Sequence, residues 1–144
     1  MVLEIISSEE ISFAIKLVLA VIFGFLIGVE RESRNKPAGI STHSFVIAGS
    51  MVFAYLSYNI GAGDPARIAA QIVTGIGFIG AGMILKGNNG TVVNLTTAAS
   101  IWLAAAIGMA IGFGFYFVAA LCTVASIFIP RIPHIKYKKK KVYK

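Results

Sequence analysis

Five apolar runs alternate along the chain with short polar or glycine-rich joints: approximately Ile11–Val29, His43–Ile60, Ile68–Leu85, Leu95–Ile111 and Phe113–Ile129. As helices they would span about 26–29 Å at ~1.5 Å per residue, close to a hydrocarbon core of ~30 Å. A membrane barrel would need polar and apolar residues to alternate along each strand, and these runs are apolar on all sides. In lipid that leaves helices, whose backbone groups are satisfied within the segment. The pattern predicts an all-α membrane protein, a compact bundle of about five transmembrane helices spanning residues 1–130, followed by a basic cytoplasmic tail at 131–144. Leu95 to Ile129 carries no charge. As a single helix it would be roughly 50 Å long, too long for one crossing, so Gly112 and Gly114 are read as a tight turn between two helices.

Helix-end residues support the same division. Ser7 with Glu10 has capping-box spacing, Ser41 and Thr42 precede the second run, Asp64-Pro65 fits an N-cap and first helical position, and Asn94 precedes the fourth. Gly87 to Gly90 enclose a turn-rich joint after the third run.

Composition agrees with the pattern. The 144 residues are 57% hydrophobic and 13% charged, with a mean hydropathy of +0.82, more apolar surface than a water-soluble domain of this size can bury. Charge then gives direction. With five crossings and the C-terminus inside, Arg31, Arg34, Lys36, Lys86, Arg131, Lys136, Lys138, Lys139, Lys140, Lys141 and Lys144 are cytoplasmic, and only Lys16 and Arg67 lie outside. This positive-inside asymmetry places the N-terminus outside. The first run has no basic leader and is read as a retained span. The basic tail reads as a topology determinant and a contact for anionic lipid headgroups; no fold or aromatic signature accompanies it that would suggest nucleic acid.

Small residues within the runs predict close helix approach. The fourth carries Thr96, Ser100, Ala104, Gly108 and Gly112 at a spacing of four, the first carries Gly24 and Gly28, and the third carries Gly75, Gly77, Gly80, Ala81 and Gly82. These could pack the monomer, form a homodimer seam or a flexible, ligand-facing break, or meet another membrane protein. Polar residues in or beside the spans are the candidate pathway or functional positions. Arg67, Gln71 and Thr74 form a stripe descending the third run, with Asp64 placed to pair with Arg67. Glu30, Arg31 and Glu32 end the first run as a charged cluster expected at the surface, and His43, Asn94, Thr96 and Thr97 stand at the starts of later runs.

No catalytic constellation is legible. His43 and His134 are the two histidines, without metal-ligand spacing to Asp, Glu or Cys. Cys122 has no partner for a disulfide, and the glycines at 75–82 lie inside an apolar run instead of a phosphate-binding turn. A non-enzymatic protein without metal or cofactor is the expectation.

The polar islands also form an ordered series: Gly28-Val29-Glu30-Arg31-Glu32; Ala38-Gly39-Ile40-Ser41-Thr42-His43; Asp64-Pro65-Ala66-Arg67 continuing through Gln71 and Thr74-Gly75-Ile76-Gly77 to Gly82; and Leu95-Thr96-Thr97-Ala98-Ala99-Ser100-Ile101-Trp102. From about Ala20 to Gly114 this series closely resembles the MgtC/SapB family. The resemblance implies a bacterial or archaeal cytoplasmic-membrane domain of about five helices, in a family whose MgtC-type members are associated with growth at low magnesium, intracellular survival and restraint of the membrane ATP synthase. Ser41 departs from the family pattern, where a basic residue is common. The lysine-rich tail stands where longer members carry a soluble domain, so the chain is expected to be similar to the short SapB-type form. Ion homeostasis through helix contacts is the function implied, with a small ion or solute transporter or channel as the alternative.

Overall fold

The computed structural model describes residues 7–60, 64, 66–86 and 91–133. Pro65, the Gly87–Gly90 joint, His134 and the lysines of the tail lie outside the described residues.

Five helices form the bundle: α1 Ser8–Ser33, α2 Ile40–Ile60, α3 Arg67–Met83, α4 Leu95–Gly112 and α5 Tyr116–Phe128, the last continued by a 3-10 turn at Ile129–Arg131. α1 starts on the capping box read from the sequence: Ser7 Oγ accepts from the Glu10 amide at 3.2 Å, and Glu10 Oε2 accepts from the Ser7 amide at 2.7 Å. It then runs past the apolar segment to Ser33, so that Glu30, Arg31 and Glu32 form its last helical turn. α2 begins at Ile40, and its cap is neither Ser41 nor Thr42. Glu32 Oε1 accepts from the Ile40 amide at 2.9 Å, so the end of one helix caps the start of the next. Asp64 accepts from the Ala66 amide at 3.1 Å just ahead of α3.

Two further run boundaries differ from expectation. α3 stops at Met83 because Ile84 is extended, and Leu85–Lys86 forms a two-residue strand, β1, paired antiparallel with β2, Val92–Val93. The hairpin removes Leu85 from the third helix. The fifth helix starts at Tyr116, since Phe113–Phe115 are used by the turn at Gly114, which has φ +85°. A positive φ is what glycine permits at a helix C-terminus.

α4 is the central element, touching α1, α2, α3 and α5, while α2 also packs on α1 and α3. The core is built of Ile27, Ile47, Met51, Ile107 and Ile111 on one side of α4 and Ala54, Ala69, Ile72, Ile76, Ile101 and Ala105 on the other. Larger apolar side chains, including Phe25, Phe45, Phe78 and Phe117, face outward. Aromatic side chains turned outward, with small residues at the closest helix approaches, are the arrangement expected where lipid replaces water around the bundle. α1, α2 and α4 are long and apolar enough to cross a membrane, and α3 and α5 are shorter apolar helices.

Candidate functional site

The chain reverses at each connection, so the bundle has two chemically distinct ends. At one, Lys16 of α1 donates to the Gly112 carbonyl at 2.8 Å and lies 5.0 Å above the Tyr55 ring. At the other, the last turn of α1 meets the first turns of α2 and α4. The unexplained polar chemistry is concentrated there.

Glu30 and Arg31 were expected at the surface, and they are buried, at 5% and 2% exposure, together with His43 at 0% and Thr97 at 3%. The reason is the extension of α1: its final turn lies beneath the 34–39 loop and against α4. Arg31 Nη2 donates to the Pro37 carbonyl at 3.0 Å and to Thr97 Oγ1 at 2.5 Å. Glu30 Oε1 accepts from Arg34 Nη1 at 3.2 Å and lies 3.7 Å from Arg131 Nε. His43 Nδ1 is 3.1 Å from the Gly39 carbonyl. Facing an acceptor, Nδ1 is the protonated nitrogen, which leaves Nε2 as the other ring position to be satisfied.

Three buried side-chain atoms among the described residues lack a hydrogen-bond partner, and all three belong to this cluster: Glu30 Oε2, Arg31 Nε and His43 Nε2. Buried polar groups are ordinarily paired, so the concentration of three unpartnered atoms makes this cluster the candidate site. Cation chelation is not what the donors suit. Among the described residues no three His, Cys, Asp or Glu side chains come together, whereas magnesium or calcium is held by several oxygens.

The other sequence candidates are distributed around this centre. Glu32 is used as the α2 cap. Asn94 adopts a left-handed conformation, φ 64°, and makes no side-chain cap; with the exposed Thr96 it borders a cavity beside Arg31. Asp64 and Arg67 do pair, at 3.7 Å, but as an exposed couple. Gln71 and Thr74 are exposed as well, on the side of α3 opposite Ala69, Ile72 and Ile76, and therefore line no interior path. Gln71 instead borders an apolar groove of about 520 Å³ between α2 and α3.

The small residues separate into two groups. Gly24 lies against the Ser44 backbone, Gly28 against Ile40, Gly108 against the Ile47 carbonyl and Gly112 against Ala54 and Met51. Ala104 is fully buried, and Ser100 turns back to donate to the Thr97 carbonyl at 2.8 Å. These positions serve packing within the monomer. Gly75 and Gly77, grouped with them from the sequence, have nothing within 4 Å of where a Cβ would stand.

Arg34 and Arg131 reach the buried Glu30 and the exposed Lys36 borders the neighbouring cavity, none of them singled out by sequence as a site residue. The spacing of four from Glu30 to Arg34 was the available signal for one of them.

The MgtC family model matches residues 17–134. The protein named "Putative magnesium transporter YhiD" from Escherichia coli K12 is 45% identical, over 85% of this chain and 60% of its own length. Protein SapB of Bacillus subtilis is 42% identical over 71% of this chain and 48% of its own, and Protein MgtC of Salmonella typhimurium is 42% identical over 78% and 48%. The chain thus spans about half the length of the curated relatives it matches. No solved structure matches it at a significant level.

Proposed function

The chain belongs to the MgtC family, and from that premise we propose that it is a non-enzymatic cytoplasmic-membrane protein of ion homeostasis, with magnesium as the ion, regulating another membrane protein or a second copy of itself through helix contacts. The observation that carries this reading is the outer face of α3. There Gln71, Thr74, Gly75 and Gly82 lie exposed on an otherwise apolar helix, and neither glycine has a neighbour within 4 Å. Exposed small and polar positions in an apolar helix allow a partner helix to approach closely and hydrogen-bond. The magnesium element rests on the name of the Escherichia coli relative. Gly75→Leu, which meets open space in the monomer, is expected to abolish rescue of a deletion strain at limiting magnesium while protein level stays normal. Full rescue overturns the helix-contact mechanism.

Transport is the second reading, favoured by that same relative's name. Magnesium flux into proteoliposomes above that of protein-free vesicles supports it; absence of flux supports regulation.

Five crossings with the N-terminus outside and the C-terminus inside complete the proposal. Support comes from the up-and-down path of the helices and from the clustering of Arg31, Arg34, Lys36 and Arg131 at one end. In a Cys122→Ser background, cysteine at Asn59 should label from outside intact cells and cysteine at Asn35 only after permeabilisation. The reverse pattern overturns the orientation.

A further inference from the structure

A cavity of about 370 Å³ opens at the Arg31 end of the bundle, walled by Arg31, Arg34 and Lys36 on one side and by the first turn of α4, with Asn94, Thr96 and Thr97, on the other. Its volume falls within the range of small-ligand pockets, about 300–1,000 Å³. We propose that this cavity binds a phosphate-bearing anion, either the headgroup of an anionic phospholipid or free inorganic phosphate.

Two independent observations support an anion. The first is the start of α4, a helix of 18 residues whose N-terminal turn carries no side-chain cap. Its leading amides and the positive end of its dipole border the cavity, and such a terminus favours negative charge. The second is Arg31. The residue is 2% exposed, and its guanidinium extends from α1 to the α4 terminus, where it meets Thr97 Oγ1. Its Nε remains without a hydrogen-bond partner.

The charge balance agrees. Glu30 engages Arg34 and Arg131, but among the described residues neither Arg31 nor Lys36 forms an ion pair. The other carboxylate of this region, Glu32, is committed to the α2 amide. A fixed planar guanidinium, a flexible ammonium, threonine hydroxyls and helix amides make a donor set suited to phosphate oxygens. The site is independent of the α3 face on which the regulatory reading rests.

Lys36→Gln tests the site because Lys36 is exposed in the α1–α2 loop and is not used in the core. The 144-residue protein in phosphate-free detergent is examined in two arms. In the first, thermal unfolding is followed with sodium phosphate against sodium chloride at equal ionic strength. In the second, native mass spectrometry measures retention of phosphatidylglycerol against phosphatidylcholine. Lys36→Gln is expected to unfold like the parent in the absence of either probe and to weaken binding on the order of tenfold, the effect of losing one charge-assisted contact.

Stabilisation by phosphate that Lys36→Gln removes identifies free phosphate as the source. Selective retention of phosphatidylglycerol that the variant removes identifies the headgroup. Binding of neither probe overturns the proposal. Binding of either that is unchanged in both Lys36→Gln and Lys36→Glu also overturns it, because the contact then belongs elsewhere, as on the basic tail.

Discussion

Replacing Gly108 by alanine adds one methyl group, and the bundle geometry gives that methyl an unfavourable sign. A Cβ at Gly108 would press on the Ile47 carbonyl oxygen and lie 2.7 Å from Ser50 Cβ and 3.0 Å from the Ile47 carbonyl carbon. Two of these atoms are α2 backbone, so no rotamer change relieves the contact, and α2 and α4 must separate. Overpacking of a well-packed interior costs about 1–3 kcal/mol. Glycine to alanine in a helix interior returns up to about 1 kcal/mol through propensity, leaving a net loss of roughly 1–2 kcal/mol for Gly108→Ala. Gly77→Ala is the internal control. It lies in α3 with nothing within 4 Å, so only the propensity gain applies and the variant should be more stable by up to about 1 kcal/mol.

The propensity gain is common to both sites, so the same chemical change should differ between them by the overpacking cost, about 1–3 kcal/mol. Reversible unfolding of purified protein in mixed micelles, titrated with a denaturing detergent, measures both. If Gly108→Ala proves as stable as Gly77→Ala, the close contact of α2 with α4 is refuted, and with it the assignment of the α4 glycines to packing within the monomer. A consequence for functional work follows. Leucine at Gly108 would be lost at folding, whereas leucine at Gly75 probes a surface.

Arg31→Ala removes the donor to the Pro37 carbonyl and Thr97 Oγ1, so thermal unfolding should reveal a loss of about 1–3 kcal/mol, with Arg31→Lys intermediate. Glu32→Ala removes the acceptor for the Ile40 amide; a cost near 1 kcal/mol is expected, with faster hydrogen exchange confined to the first turn of α2. Lys16→Met keeps the apolar stem but loses the ammonium that meets the Gly112 carbonyl and Tyr55. Unfolding in the same detergent titration should become easier by about 1 kcal/mol.

The helices were legible because membrane spans are set by length and apolarity, both of which are one-dimensional properties of a sequence. Which side of each helix faces inward was not, since lipid and protein interior are alike in polarity and the runs carry little amphipathic signal. Glycine spacing supplied a substitute only where the repeat of four was long, as in α4 and at Gly24 and Gly28. It failed in α3, where Gly75 and Gly77 share a composition with those seams but not their neighbours. Leu85 was misplaced for a related reason: an apolar residue after Gly80 and Gly82 extends a hydropathy run whether or not the helix continues, and here the backbone turns into a hairpin.

The buried cluster was hidden by a different physical circumstance. Charges at the end of a span are cheap when they are wet, and sequence places Glu30, Arg31 and Glu32 where water is near. What buries Glu30 and Arg31 is the return of the chain, because the 34–39 loop folds over the helix end and brings His43 and Thr97 against it. The desolvation of these groups is therefore a tertiary property, carried by residues from three helices that no local pattern connects. Retaining an arginine there with an unpartnered nitrogen costs free energy that an apolar side chain of similar size would spare. Stability alone does not account for it, while recognition of an anion at the adjacent α4 terminus would make that nitrogen useful.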